Sequence, residues 1–132
     1  MPRRQPIVAV LVGWTFFVWT TRIGNIWRDD SLTGGEKLGS TALALSFTAL
    51  AAVVLVAYVQ RRSWLPGAVL VLAGWTTGVW VVRFAAIASD GHDAGFVAVH
   101  LVLAVVSIGL SVAAVARLRA SARDLSPAVR AE

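Results

Sequence analysis

The chain has 132 residues, of which 58% are apolar and 14% charged; an ordinary soluble domain has about 45–50% and about 25%. Its net charge of +5 comes from eleven arginines and one lysine against seven carboxylates, and the arginines gather at the ends of apolar runs, which argues for membrane orientation and against nucleic-acid binding. The absence of cysteine excludes disulfides, thiolate metal sites and a cysteine nucleophile.

The apolar residues form four blocks of roughly twenty, each able to cross about 30 Å of hydrocarbon as a helix. The first helix is predicted over residues 6–27, with Pro6 in its first turn, where a missing N–H costs nothing. Its length, its internal Trp14 and Trp19, and the lack of a small-x-small cleavage site after it mark a retained span and not a signal peptide. The second helix is predicted over 34–60, opened by Thr33-Gly34-Gly35-Glu36 as a capping box. Residues 61–64 form a turn, and the third helix runs over 65–88. Residues 89–95 are a polar turn with Asp93 as N-cap, and the fourth helix covers 94–118. Residues 119–132 are polar, interrupted by Pro127, and read as a cytoplasmic tail.

Charge asymmetry sets the topology. Arg3, Arg4, Arg61, Arg62, Arg117, Arg119, Arg123 and Arg130 lie at the N-terminal end, the middle turn and the C-terminal tail. The other two turns hold Arg28 and Lys37 against Asp29, Asp30, Glu36, Asp90 and Asp93. The positive-inside rule then puts both termini in the cytoplasm of a multi-pass cell-membrane protein.

An internal repeat runs through the first and third blocks. Residues 8–30 align with 69–91 without a gap, with eleven identities in 23 positions. They include Gly13, Trp14, Thr15, Val18, Trp19, Arg22, Ile26 and Asp29, each with its partner 61 residues later. At about 100° per residue, nine of the eleven share one arc of about 140°. That face, with Trp14, Thr15, Trp19, Trp75, Thr76 and Trp80, is expected to form a seam between the first and third helices. The second and fourth blocks match poorly; Ser46 and Ser107 are the one polar identity. The predicted architecture is therefore all-α: a polytopic membrane four-helix bundle made of two parallel two-helix repeats, about 6–60 and 65–118, in a single membrane domain over 1–132.

Arg22 and Arg83 recur at membrane depth, where a guanidinium is costly and marks either a functional site or a paired charge. Each follows a tryptophan by three residues, a spacing that permits cation–π contact, and precedes an aspartate, Asp29 or Asp90, by seven. His100 takes the register position of Gly39, and the hairpin brings it to the depth of Arg83. The candidate site is Arg22, Arg83, His100, Asp29 and Asp90. Two guanidinium groups near a two-fold axis suit an anion; ion pairing with the aspartates, or snorkelling to the interface, is the plainer account of them. His100 fits a proton relay or a packing role. The only other histidine is His92, in a turn, so a bis-histidine haem has no ligand pair; no metal-ligand set, phosphate loop or hydrolase motif occurs, and no cofactor is expected.

The run Gly13-Trp14-Thr15, Val18-Trp19 and Arg22-Ile23 resembles small four-helix integral membrane proteins of high-GC Gram-positive bacteria that carry no assigned function. The resemblance implies the four-helix architecture and no activity or site. The expectation is a non-enzymatic membrane subunit or binding protein that associates with itself or with a larger membrane complex, contacts membrane lipid and takes a small anion. The alternative is a small transporter or channel with an outer-leaflet anion site.

Overall fold

The computed structural model describes residues 5–129. Arg3, Arg4 and Arg130, on which part of the charge reading rests, lie outside the described residues. The chain folds into four helices: α1 (Pro6–Arg28), α2 (Gly34–Val59), α3 (Leu65–Ser89) and α4 (Ala94–Val129). All four are long and apolar enough to cross a membrane, as an integral, multi-pass protein requires. No strand occurs among the described residues.

Local chemistry accounts for the ends. Pro6 and Pro66 occupy the first turns of α1 and α3, where no intrahelical N–H bond is lost. At α2, Thr33 Oγ1 accepts from the Glu36 N–H while Glu36 Oε2 accepts from the Thr33 N–H, completing the capping box. At α4, Asp93 Oδ1 accepts from the Phe96 N–H at 3.0 Å. The α2 end is closed by Arg61 in the left-handed region (φ 53°), with the Arg62 N–H on Ala57 O and the Arg61 N–H on Tyr58 O, a Schellman arrangement. After α3, the left-handed residue is Gly91 (φ 69°), which pays no Cβ penalty there.

The fourth helix departs from the sequence expectation. It does not stop near residue 118 but continues to Val129. Loss of apolar pattern marks where a helix leaves the membrane, not where it ends, and Ala116 to Asp124 remains rich in Ala, Arg and Leu, all good helix formers.

The helices close a ring in chain order: α1 packs on α2, α2 on α3, α3 on α4 and α4 on α1. The closest packing is within the hairpins α1–α2 and α3–α4. This corrects the expected seam. The first and third helices stand on a diagonal and meet through long side chains, Trp19 and Trp80, with ring centroids 6.3 Å apart. The core of Val8, Leu11, Ala51, Val54, Val69, Leu72 and Ala114 fills the part of the bundle nearer the N-terminus of α1. Phe47 lies above it, fully buried and stacked on Trp19 at 3.9 Å with ring planes 10° apart.

Burial in α1 recurs in α3 with the 61-residue spacing of the sequence match: Val8 and Val69, Leu11 and Leu72, Thr15 and Thr76, Trp19 and Trp80, Ile26 and Ile87 are all buried. In the second helix of each hairpin the spacing is 60. Ala44, Phe47, Ala51 and Val54 of α2 correspond to Ala104, Ser107, Ser111 and Ala114 of α4, again all buried. The α1–α2 turn has five residues and the α3–α4 turn four, so the second register slips by one. His100 therefore stands at the position of Ser40, not that of Gly39.

Candidate functional site

A cavity of about 280 Å³ opens between α1 and α4, at the end of the bundle that carries the turns 29–33 and 90–93. From α1 it is lined by Phe17, Val18, Trp19, Thr21, Arg22 and Asn25; α3 adds Trp80 and Arg83, and α4 adds Phe96, Val99, His100 and Leu103. Helical spacing explains the convergence. Val18, Arg22 and Asn25 follow one another at four and three residues, as do Phe96, His100 and Leu103, so each set lies along one stripe of its helix.

Three of the five candidate site residues, Arg22, Arg83 and His100, line this one cavity together with Trp19 and Trp80. Asp29 and Asp90 do not line it. Asp29 caps the C-terminus of α1, and its Oδ1 accepts from the Ser31 hydroxyl and the Ser31 backbone N–H. Those two bonds, the hydroxyl first, hold the Asp29 carboxyl below the usual carboxylate range. Asp90 is exposed at the C-cap of α3. Neither aspartate reaches ion-pairing distance of Arg22 or Arg83, and among the described residues no other carboxylate does. Asp29 is near enough to attract Arg22 through space, and the two arginines near enough to repel one another.

The arginines are thus half-buried cations without a bonded counter-charge. Arg22 Nε is shielded from solvent and has no hydrogen-bond partner among the described residues. The spacing-based cation–π contact does not form: one face of Trp19 is taken by Phe47. Trp80, only 3% exposed, turns its indole N–H to no acceptor among the described residues. An unpaired buried donor is expensive, and an unpaired buried charge more so.

Of the other seam residues, Trp14, Thr15 and Trp75 are satisfied within the fold. Thr15 Oγ1 donates to Leu11 O at 2.8 Å, while its repeat partner Thr76, 3% exposed, has no partner among the described residues. Trp14 and Trp75 face the flanking helices and not the α1–α3 diagonal. The Trp14 indole donates to Ser107 Oγ on α4 at 2.9 Å, and the Trp75 indole to Ser46 Oγ on α2 at 3.0 Å. Both donors and both acceptors are 61 residues apart, so the lone polar identity of the poorly matching helices carries two interhelical bonds of the same kind, one residue out of the 60-residue burial register of α2 and α4.

His100 lies over the ring of Phe96, centroids 4.0 Å apart, and its Nδ1 is 2.9 Å from Phe96 O. A carbonyl only accepts, so the proton sits on Nδ1 and Nε2 is left for another partner. Phe96 in turn meets His92, at 4.5 Å.

Sequence reasoning missed Asn25, Phe96 and the apolar wall of Phe17, Val99 and Leu103. Asn25 sits three residues beyond Arg22 and was within reach of wheel arithmetic. Its repeat partner is Ala86, so attention to matched residues hid it. No family model matches the chain, nor does any curated protein or solved structure.

Proposed function

We propose that the protein is a non-enzymatic integral membrane protein, made of two parallel two-helix repeats, whose α1–α4 cavity binds an oxyanion between Arg22 and Arg83. One observation carries this reading: two arginine cations line the same cavity, and among the described residues no carboxylate is bonded to either. A guanidinium stays charged at any accessible pH. Two of them facing one space in a low-dielectric wall require a counter-charge, and a carboxylate or phosphate group accepts their forked N–H groups in pairs. The Asn25 amide adds a donor on the same wall. With both termini cytoplasmic, the cavity faces the outer leaflet.

The repeat reading is supported by the paired burial of α1 and α3 and by the Trp14–Ser107 and Trp75–Ser46 bonds. The packed core of Val8, Leu11, Val69 and Leu72 beyond the cavity favours a binding site over an open channel. A groove of about 490 Å³ lined by Gly74, Gly78 and Ala116 on α3 and α4 allows close approach of another helix, in keeping with a subunit that associates with its own copies or with a larger membrane complex.

The test is replacement of both arginines by glutamine. Breaking a buried ion pair from one side costs about 3–5 kcal/mol, whereas neutralising two cations that repel one another leaves the thermal midpoint unchanged or raised. The reading predicts that Arg22→Gln/Arg83→Gln stays folded and loses binding of dodecyl phosphate, followed by tryptophan fluorescence in neutral detergent. Undiminished binding in the double variant contradicts it.

A further inference from the structure

The lining of the cavity is graded along the membrane normal. Arg22 lies six residues before the end of α1 and Arg83 six before the end of α3, about 9 Å along each axis. Asn25 is nearer the end still, and His100 lies a similar distance into α4. The deeper lining is apolar: Phe17 and Val18 on α1, and Leu103 on α4. The charged part of the cavity is therefore within an arginine's reach of the headgroup layer, and its apolar part extends toward the bilayer centre. That gradient has the polarity of a lipid in the leaflet.

The opening has the matching direction. Phe17 is 63% exposed and Val99 58% exposed, one on each side of the α1–α4 seam, so the rim of the cavity is apolar and faces the surroundings of the bundle. Around a membrane-spanning helix those surroundings are acyl chains. A water-soluble anion would reach the arginines past an apolar wall and leave that wall uncovered. An anion carrying a hydrocarbon chain covers it.

We infer that the α1–α4 cavity takes the phosphate of an anionic phospholipid entering sideways from the bilayer, with one acyl chain lying along Phe17, Val99 and Leu103. This rests on the anion-binding reading and adds the ligand class and the route. A phosphate diester offers unesterified oxygens to both guanidinium forks. A zwitterionic headgroup offers the same phosphate but brings a quaternary ammonium toward two arginines, which disfavours it.

The full-length protein is reconstituted in nanodiscs of equal parts phosphatidylglycerol and phosphatidylcholine with identical chains, and retained lipid is read by native mass spectrometry. The expected preference is about tenfold for phosphatidylglycerol, the order that two arginines at a lipid surface supply, falling to near parity in Arg22→Gln/Arg83→Gln. A second variant, Leu103→Trp, keeps both arginines and fills the chain end; it is expected to lower retention of both lipids together. Inorganic phosphate and glycerol phosphate, titrated in neutral detergent, are expected to bind the wild type far more weakly than the lipid. If they bind as tightly and Leu103→Trp changes nothing, the lipid inference is wrong and the anion-binding reading stands. Equal retention of the two lipids by the wild type also overturns the inference. Absence of binding by lipid, inorganic phosphate and glycerol phosphate alike overturns both.

Discussion

The two hairpins present the same positions with opposite chemistry. In α2 the third helical residue is Glu36, whose carboxylate is engaged by the Thr33 N–H and hydroxyl, each at 2.8 Å. Sixty residues on, α4 has Asp93 as its cap and Phe96 in place of the glutamate. Capping at α4 needs one side chain where α2 uses two, and the freed position carries an aromatic ring for His100 to stack on. Ser40 becomes His100, and Gly39 becomes Val99. The reverse trade occurs about two turns deeper, where Phe47 of α2 fills the space against Trp19 and α4 has Ser107. At these positions α2 contributes to a packed aromatic core and α4 to the wall of a cavity that it shares with α1 and α3. Under the proposed repeat, the matched first helices would supply the two arginines, and the differences between α2 and α4 the rest of the cavity lining.

Mutations that exchange these roles break the comparison in order of size. Phe47→Ala removes the ring stacked on Trp19 and is expected to cost about 3 kcal/mol, read by reversible unfolding in mixed micelles; a cost like that of a surface residue would mean that Phe47 does not organise the first hairpin. Gly91→Ala places a Cβ at a φ of 69° and is expected to cost about 1–2 kcal/mol, with little effect on lipid retention. Thr33→Ala and Asp93→Ala each lose an N-cap, about 1 kcal/mol apiece; a much larger loss at Thr33 would show that Glu36 does more than close the helix. Smallest is the interhelical bond pair. Trp14→Phe and Ser107→Ala are each expected to cost about 0.6 kcal/mol and to be non-additive when combined. The same double-mutant cycle on Trp75 and Ser46 is expected to give the same coupling, and unequal couplings would count against the two-fold relation.

Much of the architecture was legible before any coordinates. Four apolar blocks, the capping box at Thr33 and Glu36, and the cap at Asp93 depend on composition and short-range chemistry, which a sequence displays directly. The Arg22, Arg83 and His100 grouping was legible too, because depth along a helix is simple counting. What was not legible depends on rotation. A turn shorter by one residue swings α4 by about 100° relative to the repeat register, so matching at 61 placed His100 one position away from its true counterpart and gave no hint of Phe96. The α1–α3 seam is narrower than expected for a related reason: matched faces show that two helices look toward a common axis, and helices on a diagonal meet there only through long side chains such as Trp19 and Trp80. The two aspartates failed because a seven-residue spacing sets height only. Asp29 turns to Ser31, a partner two residues away that competes effectively with a distant guanidinium.

The central claim is that the two arginines of the cavity, which have no bonded carboxylate among the described residues, gain a bonded counter-charge from an anionic ligand. The six tryptophan indole N–H resonances report on it directly, assigned by single Trp→Phe variants of the ¹⁵N-labelled protein in neutral micelles. On addition of phosphatidylglycerol the Trp80 indole, whose ring lines the cavity beside both arginines, is predicted to shift as its surroundings change. Trp14 and Trp75, already bonded to Ser107 and Ser46, are predicted to stay in place. A Trp80 resonance that does not move, or that moves no more than those of Trp14 and Trp75, would contradict the account.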